Sequence, residues 1–340
     1  MAFATMIDAL AKADIVLVAE RHNDFAHHRA QQEVITALLG RGPVAVGMES
    51  FPSGRNPVLE RWAAGDLASY DAFLEAVGWF NVWGVDPALY RGVLETVRRH
   101  RVPLVGINIP RPWIRTIARE GRSELTAAAH ERIGSVAEPP AAYRESLRES
   151  LAEHDGGGRS AAGFIRAQTA WDAAMAGALL SARQDHPDAV VVGLAGTGHV
   201  RDGHGIPHQI GARDGDVVVR SVLPFDPAEE ETPGAGAADF AWPMAGDVAA
   251  EAVRLGVTPG SASEGAGIPV TAVAEDSPAS RAGVRAGDHI RAVDGEGITS
   301  RTALIRAIRA HQWGGCLRLT IARKGKERII TVPLERTQTG

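Results

Sequence analysis

Short, continuous apolar runs alternate along the first two thirds of the chain with longer stretches whose apolar positions recur at helical spacing. Asp14–Ala19 (DIVLVA) has the length and composition of a strand buried on both faces. Val44–Met48, Leu104–Ile109, Ala189–Ala195 and Val217–Val222 repeat that pattern. Between them, Phe25, Val34, Ile35, Leu38 and Leu39 predict an amphipathic helix over 24–39. Further helices are predicted around 57–64 and 69–76, and from Pro87 to about His100. Residues 111–184 read as mostly helical, broken at Pro139-Pro140 and at Gly156–Gly158. This alternation predicts an α/β domain, a mostly parallel sheet with helices on both faces.

The pattern changes after residue 225. Residues 226–245 turn acidic and rich in Pro and Gly, which reads as a linker between an α/β domain over 1–225 and a smaller α+β unit over 246–336. In that unit a helix is predicted at about 301–310, with strands at 316–322 and 328–333.

Composition narrows the function. Of 340 residues, 45% are hydrophobic and 23% charged, as in folded globular domains. A formal net charge of -5 gives no electrostatic footprint for nucleic acid. Cys316 is the only cysteine, so there is no internal disulfide framework and no Cys-based zinc cage. No apolar run reaches the length of a membrane span, and Met1–Lys12 lacks the basic and apolar regions of a secretory signal. Oligomeric state, including a homo-oligomer, is left open.

The chemistry gathers at strand ends. Glu20 and His22 close the first strand, Glu49 the second and Asn108 the third, and His199 follows the fourth through Gly196-Thr197-Gly198. Residues beyond the carboxyl ends of parallel strands converge on one crevice. Two carboxylates and two imidazoles there suit a divalent ion such as Zn, Mn or Fe. One carboxylate would alternatively serve as general base. A third glycine of a dinucleotide loop is missing, since Arg201 stands in its place. P-loop, serine-elbow and zincin patterns are also absent.

Several motifs carry a resemblance. Ala19-Glu-Arg-His-Asn23, His27-His-Arg-Ala-Gln31, Gly47-Met-Glu49, Asn108-Ile-Pro-Arg111, Gln168-Thr-Ala-Trp-Asp172 and Gly196-Thr-Gly-His-Val-Arg201 resemble the ChaN family. These are the haem-binding uptake members of the Tiki, or EreA/ChaN-like, superfamily, and the likeness spans about residues 10–222. It implies a haem-binding envelope or periplasmic protein. Tiki relatives imply a metal-dependent peptidase, and erythromycin-esterase relatives a hydrolase, at the same Glu/His positions. Ala19 replaces the glycine of the family's first motif. The C-terminal unit, from Arg254-Leu-Gly-Val257 through Gly287-Asp-His-Ile290 to Val293-Asp-Gly295, resembles the PDZ domains of HtrA-type envelope proteases. That resemblance makes Leu255, Gly256 and Val257 a carboxylate-binding loop and Ile305 and Ile308 the lining of a side-chain pocket, with a peptide added as a strand.

With haem as the ligand, His27 or His28 is a candidate axial donor, and Tyr90 a candidate oxygen donor. Trp79, Phe80 and Trp83 read either as core or as a wall for a flat macrocycle. Arg111 would clamp a carboxylate. Two functions follow. One is a haem- or iron-binding protein whose PDZ module docks a C-terminal peptide or protein partner. The other is a metal-dependent hydrolase with Glu20, His22, Glu49 and His199 as ligands or acid–base groups and the PDZ module holding substrate.

Overall fold

In the computed structural model, residues 2–153, 160–260 and 267–336 are described; the expected break at Gly156–Gly158 lies outside them. Strands β1 (Ile15–Glu20), β2 (Val44–Pro52), β3 (Leu104–Asn108), β4 (Val190–Gly196), β5 (Val219–Phe225) and β6 (Phe240–Pro243) form one sheet. Its order is β3-β2-β4-β1-β5-β6, and every neighbouring pair is parallel. β1 therefore lies inside the sheet, with Glu20 paired to Gly196 at the carboxyl ends of β1 and β4.

Strand alternation assigns the two faces. Val16 and Val18 pack with Val34, Leu38, Leu94 and Trp62 on one side. Ile15, Leu17 and Ala19 pack with Met175, Leu179 and Ile210 on the other. All five β1 side chains are fully buried, each contributing about 1.5–3 kcal/mol for the larger aliphatics. The first face carries helices Phe25–Leu39, Asn56–Ala64, Tyr70–Val77 and Pro87–His100, and the second carries the long helix Ala161–Asp185. Asp24, Ser69, Asp86 and Ser160 cap their helices by accepting a backbone N–H.

The segment expected to be a linker contains one strand of the sheet. Phe240–Pro243 pairs in parallel with β5 as the sixth strand, and Phe240 and Trp242 pack against the first core. Farther on, Phe25 N–H donates to Asp247 O at 2.8 Å and Ala249 N–H to Asn23 O at 2.7 Å. The acidic and glycine-rich residues before it masked this short apolar strand. The first compact unit accordingly runs Met1–Ala249 and the second Ala250–Gly340. A helix at Phe3–Leu10, not expected from the sequence, buries Met6, Ile7 and Leu10.

The second unit is antiparallel. β7 (Val257–Pro259), β8 (Ile268–Val273), β9 (His289–Val293), β11 (Cys316–Arg323) and β12 (Lys326–Pro333) run in the order β12-β11-β9-β8-β7, with the short β10 (Glu296–Gly297) on β9. Helix Arg301–Arg309 places Leu304 and Ile308 in its core. β7 is an edge strand, so one row of its backbone groups is left for an added strand.

Candidate functional site

Glu20 ends β1 with only 4% exposure, and its carboxylate is surrounded by donors. The Tyr90 hydroxyl donates to Oε1 at 2.7 Å, and His22 Nδ1 lies 2.7 Å from the same oxygen. Gln31 Nε2 donates to Oε2 at 2.6 Å, and His28 Nδ1 stands 3.4 Å away. Burial is the largest influence and pushes the Glu20 pKa up; His28, His22 and Tyr90 together outweigh it and bring it down to about 2. His22 leaves 39% of its side chain exposed. Burial lowers its pKa, and the bond to Glu20 with the charge of Glu49 more than reverses that. Its ring meets the edge of Trp83 at 4.8 Å between centroids.

A second carboxylate–imidazole group lies deeper. Glu49 Oε2 accepts the Gly196 N–H at 2.7 Å, and its Oε1 stands 3.6 Å from His199 Nε2. His199 Nδ1 lies 2.5 Å from Asp172 Oδ1, and the Tyr143 hydroxyl donates to Asp172 Oδ2 at 2.8 Å. Gln168 Nε2 is 3.1 Å from His199 Nδ1. Burial opposes charge on His199, but Glu49 and Asp172 raise its pKa to about 9. His199 is therefore held as a buried imidazolium, and its charge offsets the burial of Asp172. Asn108 Nδ2 donates to the Glu49 carbonyl at 2.6 Å, and Trp171 Nε1 donates to Asn108 Oδ1 at 2.6 Å. Both locks hold the end of β2.

The two groups meet across Gly196. A methyl there would stand 3.0 Å from His22 Cε1, 3.2 Å from His22 Nε2 and 3.5 Å from Glu49 Oε2. Glycine is what lets His22 and Glu49 approach the same backbone. The strand ends thus bring Glu20, His22, Glu49, Asn108 and His199 close together, joined through Gly196 and the Glu49 backbone.

Other expected residues take different places. His27 is 2% exposed and its Nδ1 accepts the Arg21 N–H at 3.0 Å. His28 is 3% exposed, between Gln31, Glu20 and the His22 carbonyl. Tyr90, 1% exposed, donates to Glu20 and accepts the Trp83 Nε1–H at 2.9 Å. The polar side-chain atoms of His28 and Tyr90 are engaged within the protein, and buried His27 keeps its Nε2 3.7 Å from Asp24 Oδ2. Trp79 packs on Tyr90 and Phe51 as core. Arg111 is exposed and donates to the Trp83 carbonyl at 2.9 Å. Among the described residues no cluster of three or more His, Cys, Asp or Glu is spaced to hold a metal ion. Within the expected set Glu20 is hydrogen-bonded to His22, whereas Glu49 and His199 stand 3.6 Å apart and take their hydrogen bonds from Gly196 and Asp172.

Sequence reasoning assigned no role to Gln31, Tyr143, Gln168 or Asp172. Gln168 and Asp172 are four apart on one helix face, which was the available signal for a pair serving His199.

In the second unit Gly256 has φ +79°, and a methyl there would meet Ser277 Cβ at 2.2 Å, so only glycine fits. Leu255 is buried in the core, its carbonyl accepting the Ala279 N–H at 2.9 Å, and Val257 opens edge strand β7. Ile308 packs with the core at 6% exposure, while Ile305 stays partly exposed.

Residues 253–334 match the PDZ domain family, and the second unit is a PDZ domain. Short matches include the serine endoprotease from Yersinia pestis, 23% identical over 26% of this chain and 30% of that one, TM-score 0.23. The HtrA3 PDZ domain bound to a phage-derived ligand is 22% identical over 24% of this chain and 86% of that one, also with TM-score 0.23. No curated protein matches the chain. The larger unit shares its fold with ChaN of Campylobacter jejuni, solved with cofacial heme: 20% identity over 71% of this chain and 91% of that chain, TM-score 0.57. Residues 6–210, more than half of the chain, match the family described as haem-binding uptake, Tiki superfamily, ChaN, and the chain belongs to that family.

Proposed function

We propose that the α/β unit binds haem at the mouth of the crevice with His22 as the iron donor, and that the PDZ unit docks the C-terminus of a protein partner. The observation that carries this is the Glu20–His22 pair. With Nδ1 tied to Glu20 at 2.7 Å and the side chain 39% exposed, His22 has Nε2 left as its donor atom. A carboxylate behind a ligating imidazole fixes its tautomer and raises its basicity, the usual support for a histidine on a metal. Trp83 beside it supplies an apolar wall, and Arg111 a guanidinium for a propionate. The donor set fits haem at His22, and not at His27, His28 or Tyr90. When bound, haem supplies an iron centre that takes a neutral imidazole nitrogen.

For the PDZ unit, the left-handed Gly256 next to edge strand β7 supports carboxylate capture and strand addition. Ile305, partly exposed on the neighbouring helix, suits contact with the terminal side chain.

A second reading has its own support. His199, a buried cation between Glu49 and Asp172, has the perturbed protonation typical of acid–base sites. In that reading His22 is the general base on water, oriented by Glu20, and His199 stabilises a developing oxyanion during hydrolysis of an acyl substrate.

The test is a haem titration of wild type, His22→Ala and His199→Ala, followed in the Soret band. We expect a saturable shift in wild type that His22→Ala removes. No saturable shift, or one indifferent to His22, overturns the haem assignment. Ester or peptide cleavage that disappears in both variants would establish the second reading in its place.

A further inference from the structure

Away from the crevice, a cavity of about 280 Å³ is lined by Arg122, Val136, Ala137, Glu138, Pro139, Ile165, Arg166 and Thr169. Its walls are mainly apolar, from Val136, Pro139 and Ile165. The 135–139 segment that forms one wall is pinned from behind. Gln209, 1% exposed, brackets Ala137 with two bonds of 2.9 Å: its Oε1 accepts the Ala137 N–H and its Nε2 donates to the Ala137 carbonyl. Arg213 Nη2 donates to the carbonyls of Ile133 and Ser135 at 2.7 and 2.6 Å. The cavity is thus preformed rather than a gap in a loose loop.

Its charge is unbalanced. Arg122 Nη2 donates to the Gly134 carbonyl at 2.9 Å, which brings its guanidinium beside that of Arg213. Burial first, and then the charge of Arg122, lower the pKa of Arg213. Among the described residues neither arginine has a carboxylate partner, and the Nε of each is buried with no hydrogen-bond acceptor. Of the two, Arg122 lines the cavity, and a guanidinium without a carboxylate partner is the group with which an anion entering it would pair. Arg166 is exposed at the same cavity and donates to the Ala118 carbonyl at 3.2 Å. The Glu138 carboxylate does not supply the missing charge: it is 85% exposed and pairs with Arg144 at 3.1 Å.

We propose that this cavity binds a short-chain amphipathic carboxylate, its acyl chain against Val136, Pro139 and Ile165 and its carboxylate on Arg122. The volume lies just below the range of small-molecule sites, about 300–1,000 Å³, which suits a medium-length acyl chain and excludes a porphyrin. A charge-assisted bond from guanidinium to carboxylate supplies orientation, and the apolar wall supplies affinity. The site is independent of the haem assignment, since it shares no residue with the crevice.

The experiment is a calorimetric titration of the full chain with octanoate, and with 1-octanol as the uncharged control. We expect saturable binding of one octanoate per chain, at least tenfold weaker binding of octanol, and at least tenfold weakening of octanoate in Arg122→Gln. Ile165→Trp, which fills the cavity and leaves both arginines, is expected to abolish binding. Circular dichroism and the haem titration serve as folding controls for both variants. No saturable octanoate binding overturns the proposal. So does octanol binding as tightly as octanoate, or octanoate affinity unchanged in Ile165→Trp.

Discussion

Two carboxylate–histidine pairs lie at the strand ends, and they differ in depth. Glu20–His22 lies at the rim: the carboxylate is buried among Tyr90, Gln31 and His28, while the imidazole is 39% exposed. Asp172–His199 is buried throughout, with side-chain exposures of 1% and 7%, and is extended by Glu49 on one side and Tyr143 on the other. In the first pair the carboxylate is enclosed and the imidazole is partly exposed. In the interior both partners are fixed. A rim imidazole with one nitrogen tied can meet a ligand, whereas an interior imidazolium acts on its surroundings through charge and hydrogen bonds. Depth separates an accessible imidazole from an enclosed one.

The largest expected effect breaks the interior pair. In Asp172→Ala the His199 cation keeps Glu49 at 3.6 Å but loses its 2.5 Å partner, and Tyr143 loses its nearer acceptor, keeping the Gly198 carbonyl at 3.3 Å. Breaking a buried pair from one side costs about 3–5 kcal/mol, so urea unfolding of the haem-free protein should show a loss of that order. A loss under about 1 kcal/mol would remove the distinction between interior and rim.

Next in size is pH, which separates the two pairs by sign. The Glu20 pKa falls on folding from 4.5 to about 2. Its stabilisation is complete above 4.5 and is lost as pH falls through about 2. The His199 pKa rises from 6.5 to about 9, so its stabilisation is complete below 6.5 and is lost as pH rises through about 9. Each shift corresponds to roughly 3 kcal/mol. Unfolding midpoints of the haem-free protein should therefore fall on both limbs, with Glu20→Gln flattening the acid limb and His199→Gln the alkaline one. If either substitution flattened both limbs, the pairs would be one coupled unit.

Much of this was legible beforehand. Strand ends carrying Glu20, Glu49, Asn108 and His199 could be aligned because a parallel sheet directs all of its carboxyl ends to one edge. The fate of His27 and His28 could not. Helical periodicity states that neighbours point about 100° apart, but not that Arg21 covers one and Tyr90 the other. Asp172 was hidden for a related reason: one acid inside a long helix reads as surface until the helix is rotated against a sheet. β6 was hidden by composition, since Phe240-Ala241-Trp242 is too short to stand out after an acidic, glycine-rich stretch.

Gly196→Ala sharpens the comparison at its hinge. The added methyl falls 3.0–3.2 Å from the His22 ring and 3.5 Å from Glu49. His22 is partly exposed and can swing outward, so the cost should stay near 1 kcal/mol, the low end for overpacking. The displaced imidazole should nonetheless weaken haem binding at least tenfold. An unchanged Soret titration would mean that His22 is not the donor.

The smallest expected stability effect belongs to His22→Ala. Its Nδ1 bond to Glu20 is replaced by water at an open rim, and Tyr90 and Gln31 still donate to the carboxylate. Exposed ion pairs contribute about 0–1 kcal/mol, so the unfolding midpoint should barely move. The same substitution should remove the Soret shift altogether. A rim built for a ligand predicts this split between a large binding effect and a small stability effect. If His22→Ala destabilised the fold as much as Asp172→Ala, both imidazoles would be structural and the rim would lose its claim to the ligand.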